Sequence, residues 1–270
     1  MYQVIPNTYF AALDLRGSDA SKTLQGQLTN DVERQPNGSG IRGLLCNIKG
    51  RVEVIIWVYK HSPEHLTLVV PTPNIDITKQ RLAPYVAFSK SQLTELDLSQ
   101  HNLIFALSQP DNGSFSNNLN FEGVALLPFE RLPAGARTET LSSPDDFHRY
   151  RIENGMVQLT PQQSGLYTPQ ALSLDRLGYV SYQKGCYMGQ EIIARLHYKG
   201  QSKYQLALLQ SVPGLSYEQP IIDHTGATIG SIVDASANGT GEYLASIRTQ
   251  ANTQSKLYIQ EKSAIVQRLF

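Results

Sequence analysis

Lys184-Gly185-Cys186-Tyr187-Met188-Gly189-Gln190-Glu191 gathers a cation, a thiol, an aromatic ring and a carboxylate around two glycines. Gly185 and Gly189 permit a tight backbone path that a Cβ would obstruct. Gln190 to Leu196 reads as a helix, which places Cys186 just before a helix N-terminus. There the helix dipole and the nearby Lys184 would both favour the thiolate. On that reading Cys186 is a candidate nucleophile, a redox thiol or a single ligand lent to a metal centre. The competing reading is a small buried cysteine in a structural turn, a common fate of free cysteines.

The only other cysteine is Cys46, in an apolar arm between Leu45 and Asn47, where a core role is expected. Two cysteines outside any CxxC pair give neither a disulfide framework nor a self-sufficient zinc or cluster site. Met1 to Pro6 has no basic flank or apolar stretch of leader length, and no apolar run is long enough for a bilayer. A cytoplasmic location with reduced thiols follows as the expectation. The chain has 270 residues, 41% hydrophobic and 17% charged, with net charge +0. That length suggests two domains, and neutrality argues against a large unselective nucleic-acid surface. Lys184, Arg195, Lys199 and Lys203 lie close in sequence, as a local basic patch or as a solvated rim.

Working outward, Phe10 to Leu15 alternates as a strand, Gly17 breaks it, and Ser18 or Asp19 can cap a helix over Ala20 to Leu28. Leu44 to Tyr59 reads as a hairpin around Lys49-Gly50. Leu66 to Val70 is a short strand, Ile75 to Tyr85 has helical spacing, and Leu103 to Leu107 is another strand. Ser108 to Asn120 is loop-like, and Asp145 to Gly155 is helical, capped by Ser143 or Asp145. From Lys203 onward short apolar runs alternate with turns: Gln205 to Leu209, Pro220 to Ile222, Thr228 to Val233, Glu242 to Ile247 and Lys256 to Ile259. This texture predicts a small β-barrel or sandwich beyond a boundary at Gly200-Gln201-Ser202. The whole is α+β. His61 and His65 flank Pro63 in an expected loop, and His197 follows the opening motif. Gly38-Ser39-Gly40 lacks the strand-before, helix-after setting of a phosphate loop.

The opening motif resembles the K-G-C-Y-x-G-Q-E hallmark of the YgfZ family. The likeness extends through Thr168-Pro169-Gln170, Leu174-Asp175, Ala194-Arg195 and Tyr198-Lys199-Gly200. It continues in Leu24 to Val32, in Lys49-Gly50-Arg51 and in Tyr85 to Lys90, blocks shared more loosely with aminomethyltransferases. The resemblance implies a cloverleaf of folate-binding domains like that of the glycine-cleavage aminomethyltransferase. Residues 1–200 would form it, as two interleaved subdomains, with a barrel over 201–270. It implies tetrahydrofolate as cofactor and a part in iron–sulfur enzyme upkeep and tRNA modification, including methylthiolation by radical enzymes, which would be the partners.

Within that resemblance, Cys186 acts and Lys184 tunes its thiol. Tyr187, Gln190 and Glu191 shape the folate-side loop, and Arg195 holds a folate glutamate tail or a partner's acidic group through its planar donors. The positions of two family tryptophans fall on Phe10 and Phe147, which keep an aromatic face for the pterin but lose the indole N–H. Each phenylalanine also reads as core. Asn30 and Asp31 are candidates for polar contacts, Asp31 being equally placed to cap or pair locally. A true aminomethyltransferase is the alternative, although its chemistry needs no thiol. Direct tRNA contact through the basic cluster near Arg195 is a further option, with steep salt dependence.

Overall fold

The computed structural model describes residues 2–5, 9–98, 101–106, 124–128, 144–235 and 241–270. After β1 (Tyr2–Ile5) come β2 (Phe10–Gly17), α1 (Ala20–Gln25), β3 (Ser39–Cys46), β4 (Val52–Ser62) and β5 (His65–Pro71). Then follow α2 (Ile75–Ala87), β6 (Ser91–Leu96), β7 (His101–Ala106), β8 (Val124–Pro128), α3 (Pro144–Glu153) and α4 (Gln190–Lys199). The chain finishes with β9 (Tyr204–Gln210), β10 (Pro220–Asp223), β11 (Thr228–Ala235), β12 (Glu242–Arg248), β13 (Leu257–Ile259) and β14 (Lys262–Leu269). Three sheets result: β3-β4-β5-β2-β6, the smaller β1-β7-β8, and a closed barrel β10-β11-β12-β9-β14-β13. Among the described residues no helix is long and apolar enough to cross a membrane.

The five-stranded sheet is buried on both faces. Leu13, Leu15, Leu45, Val54, Ile56, Val58, Leu66 and Leu68 share one core with Ala20 and Leu24 of α1 and Leu82 of α2. On the other face Leu44, Cys46, Val52 and Ile55 join Leu172, Leu174, Tyr179, Tyr187 and Ile193. Each such aliphatic side chain contributes about 1.5–3 kcal/mol by leaving water. Val52 and Val54 reach opposite cores because the ladder pairs Leu45 with Val54 and Cys46 with Val52, leaving Glu53 as the extra residue of a bulge. Arg81 secures that bulge, donating to Glu53 Oε2 at 2.7 Å and to the Cys46 carbonyl at 2.8 Å.

The barrel follows the same period-two logic. Ala207 and Leu209 of β9 and Tyr243, Ala245 and Ile247 of β12 point inward. Leu206, Leu208 and Leu244 point outward into the core shared with the sheet. The pairing of β10 with β13 closes the ring, leaving no free sheet edge. The β10–β11 turn is held by Asp223, whose Oδ1 accepts from the Thr225 hydroxyl and from the backbone of Thr225 and Ala227.

Several expectations change. α1 stops at Gln25 rather than Leu28, and Asp19 does not cap it by side chain: its carboxylate accepts from the Lys90 N–H instead. His61 and His65 are strand residues with rings stacked at 4.0 Å, not loop residues. The expected loop Ser108 to Asn120, the cap position Ser143 and the side chain of Phe147 lie outside the described residues.

Candidate functional site

Two stretches distant in sequence converge on residues 184–189, and a third holds the helix that follows. Lys184 is buried, and its Nζ donates to the carbonyls of Gln25 (2.6 Å), Leu28 (2.7 Å) and Asn30 (2.9 Å). These carbonyls belong to the end of α1 and the turn after it, where a helix leaves acceptors unsatisfied and favours a cation. The Met188 N–H donates to the Gly26 carbonyl. Gly189 meets the Lys49-Gly50 turn: a Cβ there would stand 2.5 Å from the Asn47 carbonyl oxygen and 2.9 Å from Gly50 Cα. Its φ of +81° is in the left-handed region, so only glycine fits without strain. It is also the residue from which α4 starts. Upstream, Gln170 donates to the Ile193 carbonyl at 3.0 Å.

The loop thus alternates between locked and open residues. The Tyr187 ring is buried in the shared core, and its hydroxyl is buried without a hydrogen-bond partner among the described residues. Burial, followed by nearby Cys46, Tyr182 and Tyr198, pushes that phenol's pKa well above its ordinary value. Cys186, one residue earlier, is a free, exposed thiol. Cys46 is also free but wholly buried in β3, and burial pushes its thiol far up.

Lys184 is anchored on the backbone rather than hydrogen-bonded to the thiol. All three of its N–H donors are engaged by backbone carbonyls, so it makes no hydrogen bond to Cys186. Burial lowers its pKa to about 8 against the opposing pull of Asp31 and Glu33. Gly185 lacks the necessity expected of it, since a Cβ there meets nothing within 4 Å.

The other predicted residues separate. Gln190 and Glu191 open α4, with Glu191 exposed in the first turn, where a carboxylate suits the dipole. Arg195 is exposed on the same helix. The Asn30 amide is used structurally, donating to the carbonyls of Arg42 (2.8 Å) and Gly178 (2.9 Å). Asp31 pairs locally, accepting from Gln25 Nε2 and the Arg34 N–H. Burial raises its pKa, but those bonds with the charges of Arg34 and Lys184 prevail and hold it below the usual value. Phe10 opens β2. It is 3% exposed, its ring edge-on to Trp57 at a centroid distance of 5.4 Å. No open stacking face is left to it in this structure.

Sequence reasoning passed over Trp57, the single tryptophan of the chain. Its indole N–H is buried without a hydrogen-bond partner among the described residues. The signal that could have exposed it is its place beside Phe10, visible only once Trp57 of β4 and Val69 of β5 are paired. Two cavities, of about 640 and 440 Å³, lie against the barrel, the second bordered by Arg51 and Tyr204. None of the predicted site residues lines either.

No protein-family model matches the chain. Among solved structures it resembles the glycine cleavage system aminomethyltransferase T from Bartonella henselae. The TM-score is 0.70 with 14% identity, covering 98% of this chain and 84% of that one. The fold is therefore that of the glycine-cleavage aminomethyltransferases. Curated relatives narrow the class: the tRNA-modifying protein YgfZ of Colwellia psychrerythraea is 30% identical over 249 residues, covering 80% of this chain and 74% of that protein. The tRNA-modifying protein YgfZ of Buchnera aphidicola subsp. Schizaphis graminum is 28% identical over 284 residues, covering 94% and 86%. The chain belongs to the YgfZ family.

Proposed function

We propose that this protein binds a reduced folate and, through Cys186, supports the iron–sulfur enzymes that modify tRNA. The observation that carries the reading is the contrast inside one loop: the thiol of Cys186 is exposed while Lys184, Tyr187 and Gly189 around it are fixed. A purely structural turn has no need of an open sulfur between anchored neighbours. The relatives' name, tRNA-modifying protein, supplies the pathway class.

Folate is supported by the fold and by one local fit. The pair Phe10–Trp57 keeps an aromatic edge-to-face arrangement and holds an unpartnered indole N–H. A buried orphan donor costs about 1–3 kcal/mol, which a ligand acceptor would recover. A pterin ring carries such acceptors on an aromatic plane. Opening of this pair is required for entry. Bound there, the folate would supply one-carbon or protective chemistry, while the chain's own residues bind and orient it.

The test is complementation of a strain lacking the protein, read as methylthio-modified tRNA. Cys186→Ala, expressed at the wild-type level with an unchanged melting temperature, should restore none of the modification. Full restoration would overturn the role of the thiol. The folate half is read separately: tetrahydrofolate at a hundredfold its Kd should stabilise the protein by about 2.7 kcal/mol. An unmoved melting temperature removes folate from the reading.

A further inference from the structure

We infer that the exposed C-terminal end of α4 is a binding surface for single-stranded RNA, with Tyr198 stacking one base and Arg195, Lys199 and Lys203 gripping the adjacent phosphates. The inference deepens the tRNA reading above and rests on it for the kind of polymer.

The geometry comes from three rings. Tyr182 and His197 stack face to face, with centroids 3.7 Å apart and planes 14° apart. Tyr198 stands across them, at 70° to Tyr182 and 81° to His197. The pair braces Tyr198 from one side, yet Tyr198 remains 67% exposed, so most of its ring is open to solvent. A rigid aromatic platform of this kind accepts any nucleobase, since every base has a π-face.

The charges match a polyanion. Arg195 lies three residues before Tyr198 and four before Lys199, so the three share one helix face. Lys203 follows just after the helix. None of Arg195, Lys199 and Lys203 has an ion pair or side-chain hydrogen bond among the described residues. Glu191 stands one turn before Arg195 on α4 and two turns before Tyr198 and Lys199, and it forms no ion pair with Arg195 among the described residues, while Asp175 accepts from the Tyr182 hydroxyl at 3.5 Å. A protein of net charge +0 thus sets two unpaired cations on the helix face that carries the open ring, with Lys203 four residues beyond Lys199 in sequence. A duplex keeps its bases stacked inside and offers the ring nothing, which selects unpaired nucleotides. An acidic protein would satisfy the cations but leave the ring idle.

The test uses the full chain and a fluorescein-labelled RNA of roughly 12 nucleotides, single-stranded or annealed, at about 50 mM salt. Anisotropy should show the single strand binding at least about tenfold more tightly than the duplex. Tyr198→Ala should weaken binding about fivefold or more with the salt slope intact, and Tyr198→Phe should restore it. The triple variant Arg195→Gln, Lys199→Gln, Lys203→Gln should flatten the log–log salt slope by about 2. Absence of binding, equal affinity for duplex, or wild-type affinity in Tyr198→Ala would each overturn the assignment. So would displacement by a glutamate-rich peptide as effective as unlabelled RNA, which would give the surface to a protein partner. These readouts are independent of the Cys186 complementation assay, so the two readings fail separately.

Discussion

The two cysteines of this protein sit in opposite worlds. Cys46 lies in a β-strand, sealed between sheet and helices, and its backbone carbonyl is held by Arg81. Cys186 lies in a loop anchored on either side of it, by Lys184 and by Tyr187 to Gly189, and its thiol is exposed. The difference is how each region gains order. The strand is ordered by side-chain burial, which engulfs the cysteine. The loop is ordered by an ammonium, a buried ring on the next residue and a glycine contact, which fix the chain while leaving one side chain out. Rigid backbone with a free nucleophile is what a positioned reactive group needs.

That comparison can be broken in graded ways. The largest effect should be on thiol alkylation in the native state: Cys186 reacts with iodoacetamide at the rate of an open thiol, whereas Cys46 reacts about a thousandfold more slowly, because it must wait for unfolding. Mass spectrometry of tryptic peptides checks this, and equal labelling would erase the contrast. Next comes Gly189→Ala, which forces a Cβ against the Asn47 carbonyl at positive φ and should cost about 3 kcal/mol by urea denaturation.

Lys184→Met should cost about 2 kcal/mol at pH 7 by leaving three carbonyls without their donor. Its pH signature has a definite sign. The folded pKa of about 8 is below the ordinary 10.5, so between those values the unfolded chain holds more protons than the folded one. Wild type therefore gains stability relative to Lys184→Met as pH rises through that window. A difference independent of pH would mean that the ammonium is not buried. Gly185→Ala, at the small end, should stay within about 0.5 kcal/mol.

Legibility in the sequence followed the same divide. The hairpin of β3 and β4, helix α2 and the strands β9 to β13 announce themselves by period and by turn residues. β14 was missed because only Ala264 and Val266 are fully buried among its exposed polar residues, so its alternation is faint. β6 was missed likewise, a half-exposed Ser-Gln-Leu-Thr-Glu-Leu. Cys186 was legible through its motif, and it is exposed rather than the small buried cysteine of the competing reading. The work of Lys184 was not legible, because its acceptors lie more than 150 positions away. Nor was the closeness of Trp57 to Phe10, which depends on strand pairing.

One further consequence lies in the outward-facing Leu206, Leu208 and Leu244 of the barrel. They make the last seventy residues a plug as much as a module. A cut at Gly200 would sever the chain but uncover greasy patches on both pieces, so the halves should stay together in gel filtration. Splitting this gene in two would give partners that depend on each other for solubility.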